Sequence, residues 1–132
     1  ALAVSVIIVP AAEVDLRGVH VANLDGMRRA VQGLAITPSY VLTDGYAIPG
    51  LVTPNLAVWK GDQVAISISA ASMMAKVYRD RVMIKLDAKY PGYGLAKHKG
   101  YITAAHTKAL GELGVSEIHR KSFANIAALI NK

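Results

Sequence analysis

The chain has 132 residues, of which 53% are hydrophobic and 18% charged, with no cysteine and a formal net charge of +6. That length suits one compact domain, and that composition excludes intrinsic disorder. No apolar run approaches the ~20 residues of a bilayer-spanning helix, and the lack of cysteine removes disulfides, thiolate metal sites and cysteine nucleophiles.

The longest apolar run, Val4 to Val9, is interrupted by Ser5 and stopped by Pro10, and reads as a buried strand. Residues 11 to about 34 read as helical in two pieces broken near Gly18, with Gly33 and Pro38 bracketing the end. Tyr40–Thr43 is a short strand running into the Asp44-Gly45 turn signal. Pro49, Gly50 and Pro54 then mark a loop, and Leu56–Trp59 makes a second strand running into Lys60-Gly61-Asp62.

A long helix is predicted from about Ser69 to Lys89, because Ala71, Met74, Ala75, Tyr78, Val82 and Leu86 repeat at three and four residues. Residues 63–68 alternate instead, which leaves its start open. Pro91, Gly92 and Gly94 end it. Lys97–Tyr101 reads as a basic loop, Thr103 as an N-cap, 104–113 as a short helix stopped by Gly114, and Ser122–Ile130 as a final helix.

Strands alternating with helices predict an α/β layer with some parallel pairing. Three strands make a thin sheet, so the sheet looks incomplete. No cationic leader precedes an apolar stretch, and the chain opens directly on an apolar run without Met. The expectation is therefore a soluble, cytoplasmic protein without a membrane partner, either processed or forming the later part of a longer chain.

The charge is distributed unevenly. Residues 1–56 hold three Lys or Arg against four Asp or Glu, whereas residues 57–132 hold twelve against five. A localised basic excess suits a polyanion, and also suits an ordinary solvated surface.

Functional groups in open α/β sheets gather beyond the carboxyl ends of strands. Asp44 and Asp62 both stand there, and converge if their strands are neighbours. Paired hard oxygens favour Mg²⁺ or Mn²⁺, which activate water and stabilise a phosphodiester transition state. Spacing alone equally allows Asp44 to form an Asx turn with Gly45 and Asp62 to cap a helix.

Ser69, Ser72, Lys76 and Asp80 share one polar helix face, on which Lys76 and Asp80 are spaced to pair. Lys97-His98-Lys99-Gly100-Tyr101 combines potential cations, a flexible glycine and an aromatic ring. Phosphate contacts beside a stacking ring are how nucleic-acid loops are built, although a solvated loop with Tyr101 packed inward fits as well. The histidines at 20, 98, 106 and 119 form no HxxxH or HxH pair, which argues against zinc. There is no P-loop, G-x-S-x-G or G-x-G-x-x-G signature.

In order, VLTDG (41–45), KGD (60–62), SAASMMAKVYRDR (69–81), YPGYGLAKHKGYITAAH (90–106) and HRKSF (119–123) resemble bacterial ribonuclease HII. Residues 13–31 fit the same family. The resemblance implies an RNase H-like α/β fold, a mixed sheet flanked by helices and here missing its first strands. It also implies endonucleolytic cleavage of the RNA strand of RNA–DNA hybrids, and cleavage 5′ of single ribonucleotides in duplex DNA. Asp44 and Asp62 match two of that family's four metal-holding acids, for Mg²⁺ or Mn²⁺. Tyr101 matches its junction-stacking tyrosine, and Lys60, Ser69, Ser72 and Lys76 match positions around substrate. His98 and Lys99 lie in the same basic segment, and Asp80 is expected to pair within its helix.

The family's first-strand Asp-Glu-Ala/Val-Gly-Arg-Gly motif has no counterpart, since no Asp-Glu pair occurs in this sequence. The Asp-Ser-Lys-Lys segment is likewise missing. The expectation is a C-terminal portion of one RNase H-like domain carrying half of the metal site and inactive alone. It would retain nucleic-acid affinity and self-associate through an exposed sheet edge. The competing reading is a non-catalytic nucleic-acid-binding module on a degraded RNase H-like scaffold.

Overall fold

A computed structural model describes residues 1–130. The chain divides into two compact units, Ala1–Met73 and a second beginning at Met74.

In the first unit, α1 (Ala11–Arg17) and α2 (Val19–Gln32) meet at Gly18, whose φ of +79° suits a residue without a Cβ. Charge alternation ties them together. The Arg17 guanidinium lies 3.0 Å from both Glu13 and Asp25, and that of Arg29 lies 3.0 Å from Glu13 and 3.1 Å from Asp25. The hydrogen bond from Arg17 holds the Asp25 carboxyl below the usual carboxylate range.

Strands β1 (Val41–Asp44) and β2 (Asn55–Val58) pair in parallel, with Val41 opposite Asn55 and Asp44 opposite Val58. Their connection, 45–54, is close to the shortest that a parallel pair allows. Side chains fix it. Asn55 Oδ1 accepts from the Ile48 amide at 2.8 Å, its Nδ2 donates to the Ile48 carbonyl at 3.2 Å, and Ile48 is fully buried. Thr43 Oγ1 donates to the Tyr46 carbonyl at 2.6 Å.

After β2, Lys60 adopts a left-handed φ of +49° and starts α3 (Gly61–Val64), which the extended Ala65 separates from α4 (Ile66–Lys89). Gly61 is buried, and a Cβ there would meet Ile68 Cδ1 at 2.5 Å. Gly61→Ala is therefore expected to lower stability by about 1–3 kcal/mol, read as a lower urea midpoint at unchanged slope. An unchanged midpoint would mean that Ile68 turns aside at no cost.

In the second unit, α5 (Leu95–His98), α6 (Ala104–Leu113) and α7 (Ala124–Ile130) surround a core of Tyr93, Leu95, Ala109, Leu110 and Ile126. Leu86 of α4 packs against it. Thr103 caps α6, its hydroxyl accepting from the His106 amide at 3.2 Å, a bond that contributes about 1 kcal/mol.

Several details differ from what the sequence predicts. Residues 1–10 form no strand, because nothing among the described residues pairs with them and a strand's backbone groups require a ladder. The segment instead runs along α2, with Ser5 and Val9 close against Gly33 and Gly26. The sheet among the described residues accordingly holds the two parallel strands β1 and β2. Helix α4 begins three residues before Ser69, and the alternating 63–68 stretch is the α3–α4 junction. The final helix begins at Ala124, two residues after Ser122, and the supposed basic loop has its first two residues, Lys97 and His98, inside α5.

The predicted α4 stripe is covered unevenly. Val82 and Leu86 are half-buried, whereas Met74 and Tyr78 are 39% and 38% exposed. Among the described residues no helix is long and apolar enough to cross a membrane.

Candidate nucleic-acid and carboxylate sites

Parallel pairing brings the carboxyl ends of β1 and β2 side by side. Asp44 is the last residue of β1, and Asp62 lies in the first turn after β2. Asp44 Oδ1 accepts a 2.8 Å hydrogen bond from the Gly61 amide, which joins it to the residue just before Asp62. Both aspartates are exposed. Neither modest alternative describes them. The Asp44 carboxylate reaches across to the neighbouring chain segment, while the Tyr46 amide bonds its backbone carbonyl at 3.0 Å. Asp62 is not the cap of α3, since Lys60 holds that position.

Lys60 stands exposed beside this pair in the chain. Carboxylate oxygens are the donors hard divalent cations prefer. The donor type at Asp44 and Asp62 therefore fits Mg²⁺ or Mn²⁺. Among the described residues, no group of three or more His, Cys, Asp or Glu is arranged to hold a metal ion. Two carboxylates are fewer donors than the about six or more oxygens of a full divalent-cation shell.

In the second unit, Tyr101 is 62% exposed, contrary to an inward-packed ring. Arg79 of α4 lies over it, with the guanidinium carbon 4.6 Å from the ring centroid. Lys76 donates to Asp80 at 2.7 Å one turn away. That hydrogen bond raises the Lys76 pKa and lowers that of Asp80, which confirms the expected helix pair. Arg79 escaped the sequence reading, although its place three residues after Lys76 was the available signal. Ser69 is half-buried and Ser72 exposed on the same helix.

Two residues of the basic segment have internal duties. Lys99 takes a left-handed φ of +50° at the end of α5, and its ammonium donates to the Ala96 carbonyl. His98 is 9% exposed, and neither ring nitrogen is free for a phosphate. Its Nδ1 accepts from the Gly100 amide at 3.1 Å, and its Nε2 donates to the Tyr93 carbonyl at 2.8 Å. His98 thus shapes the segment from inside. It stacks on His106 at 4.2 Å between ring centroids, and His106 Nε2 lies 3.3 Å from His119 Nε2. Burial pushes the His106 and His119 imidazoles below the ordinary histidine range.

The family model for ribonuclease HII matches residues 2–126. The chain belongs to the ribonuclease HII family. The match takes in β1, β2, α4 and the whole of α6, so every quoted motif falls inside it. The ribonuclease HII of Salinispora arenicola is 59% identical over 98% of this chain and 48% of its own length. That of Mycobacterium avium is 57% identical over 99% of this chain and 57% of its own. The chain thus spans about half the length of these ribonuclease HII relatives. Among solved structures, the ribonuclease H2 of Pyrococcus horikoshii superposes with a TM-score of 0.76 at 23% identity. It covers 95% of this chain and 67% of that one, which establishes the RNase H2-type fold.

Proposed function

We propose that this chain is the part of a single RNase H-like catalytic domain that supplies Asp44 and Asp62 to an endonuclease. That endonuclease hydrolyses the RNA strand of RNA–DNA hybrids and cuts 5′ of single ribonucleotides in duplex DNA. The observation that carries this reading is the Asp44–Gly61 hydrogen bond, which fixes one strand-end carboxylate beside the segment bearing the other in a chain of this family. Asp44 and Asp62 would hold Mg²⁺ or Mn²⁺, with remaining oxygen ligands from water, substrate phosphate and further acids. A divalent ion bound there lowers the pKa of water and stabilises charge on the phosphoryl oxygens.

The chain's own residues bind and orient. Tyr101 offers its exposed face to a nucleotide sugar, and Arg79, Lys76 and Lys60 supply cations for phosphates. Ser69 and Ser72 are short hydroxyl donors for the same backbone. Lys99 contributes charge while its ammonium stays tied to α5. The setting we assign is the cytoplasm, in ribonucleotide removal.

Two carboxylates hold Mg²⁺ weakly without further ligands, so the isolated chain binds nucleic acid and does not turn it over. Leu42 and Leu56, opposite one another in the sheet, are 40% and 52% exposed. That apolar pair drives self-association, read as concentration-dependent sedimentation; a monomer at every concentration would refute it.

The test of function is product analysis. The chain is combined with the remainder of a family relative bearing an Asp-Glu motif, and given a labelled duplex containing one ribonucleotide. Cleavage 5′ of the ribonucleotide leaving 3′-hydroxyl and 5′-phosphate ends is expected. Salt-sensitive binding with no cleavage by the combination would favour the non-catalytic module instead.

A further inference from the structure

His98, His106 and His119 are 9%, 6% and 7% exposed, and the backbone groups around them favour one pattern of donors and acceptors. The Ser116 amide donates to His119 Nδ1 at 3.1 Å and the Ser116 hydroxyl lies 2.9 Å from the same nitrogen; because the amide can only donate, Nδ1 accepts from both and the His119 proton is placed on Nε2. That N–H points at His106 Nε2, 3.3 Å away, which must accept. His106 therefore carries its proton on Nδ1, which faces the Tyr101 carbonyl at 3.4 Å. His98 is fixed independently, because Gly100 N–H donates to its Nδ1 and its Nε2–H donates to the Tyr93 carbonyl.

We propose that these histidines, all neutral, form a positioning relay that holds the Gly100–Tyr101 backbone so that the Tyr101 ring stands outward for a nucleotide. This rests on the reading of Tyr101 as the stacking residue. The backbone is held on both sides of Tyr101. Its amide donates to the His98 carbonyl at 2.9 Å, and its carbonyl accepts from His106. Gly100 takes φ +79°, which strains any residue with a Cβ, and a Cβ there would lie 3.3 Å from Met83 Cε and 3.5 Å from the Arg79 guanidinium.

A second proton on any of the three imidazoles breaks the relay. His98 and His119 would each face a backbone N–H with an N–H, and His106 would face the His119 N–H. Of the surrounding groups, Tyr93 lies 5.0 Å from His119, and Arg120 beside it lies over Phe123. Lys108 pairs with Glu112 on the solvent side of α6. Arg79 of α4 lies over the Tyr101 ring, and Lys76 is tied to Asp80. None of these carboxylates or cations replaces a relay bond. Folded-state pKa values of His106 and His119 lie below the unfolded one. The stability they contribute is therefore complete above about pH 6.5 and declines as pH falls from there.

The test is long-range proton–nitrogen NMR of the labelled chain at neutral pH. It should show Nε2–H for His98 and His119 and the less common Nδ1–H for His106. Nε2–H at His106 would overturn the relay. On acidification the Gly100 amide and Tyr101 carbonyl signals should move with the His106 midpoint, and independent midpoints would overturn it.

Affinity for a duplex containing one ribonucleotide supplies the functional arm. His106→Asn retains a donor toward Tyr101 and should bind normally, whereas His106→Leu should bind about fivefold or more weakly. Equal affinities would overturn the positioning role. If Tyr101→Ala leaves affinity unchanged, the stacking reading fails by itself, and the tautomers and loop signals still decide the relay.

Discussion

Asp44→Asn is expected to lower cleavage by the combined enzyme on the order of 10²- to 10³-fold, with little change in melting temperature. Asparagine keeps an oxygen that accepts from the Gly61 amide, as Asp44 Oδ1 does at 2.8 Å, so the junction of β1 with α3 survives. The charge that attracts a divalent cation is lost. Asp62→Asn should behave alike, because Asp62 is exposed and its neutralisation changes stability by no more than about 0.5 kcal/mol. Raised metal concentration should recover part of the rate in both variants. Full activity of Asp44→Asn at ordinary Mg²⁺, or a loss explained by unfolding, would remove Asp44 from the metal site.

The second large effect is on binding. Tyr101→Ala should weaken binding of a ribonucleotide-containing duplex by roughly 5- to 150-fold at fixed salt, the range for loss of one aromatic stacking surface. Tyr101→Phe should retain most of the affinity. The ring is 62% exposed, so neither change costs the core. Arg79→Ala should act differently. It removes a cation as well as the group 4.6 Å over the ring, so the salt dependence of binding becomes shallower. Tyr101→Ala leaves that slope unchanged. Titration by fluorescence anisotropy at several salt concentrations separates the two, and equal slopes for wild type and Arg79→Ala would exclude a phosphate contact there.

Much of this was legible in the sequence because local chemistry fixed it. Gly18 divides α1 from α2, Thr103 caps α6, and Asp44 and Asp62 follow strands whose parallel pairing gathers their ends. Lys76 and Asp80 sit four residues apart on one helix and pair.

What failed depended on distant partners. Val4–Val9 has the composition of a strand, but strand formation requires a neighbouring ladder that no described residue provides. His98 lies within a run of cations, a pattern that gives no sign of burial. Its burial follows from Tyr93 and His106 packing against it, which no local pattern encodes. The contact between His106 and His119 is not legible either, since sequence spacing cannot show that residues 106 and 119 meet.

The central claim is that Asp44 and Asp62 are part of a metal site that needs further acids to work. Its most direct test is cleavage of a labelled DNA duplex containing one ribonucleotide, with Mg²⁺ or Mn²⁺, by the 132-residue chain alone. The same reaction is then run after adding the remainder of a relative that bears the Asp-Glu motif. The account predicts binding without turnover in the first and cleavage 5′ of the ribonucleotide in the second. Turnover by the chain alone, abolished by Asp44→Asn, would contradict it.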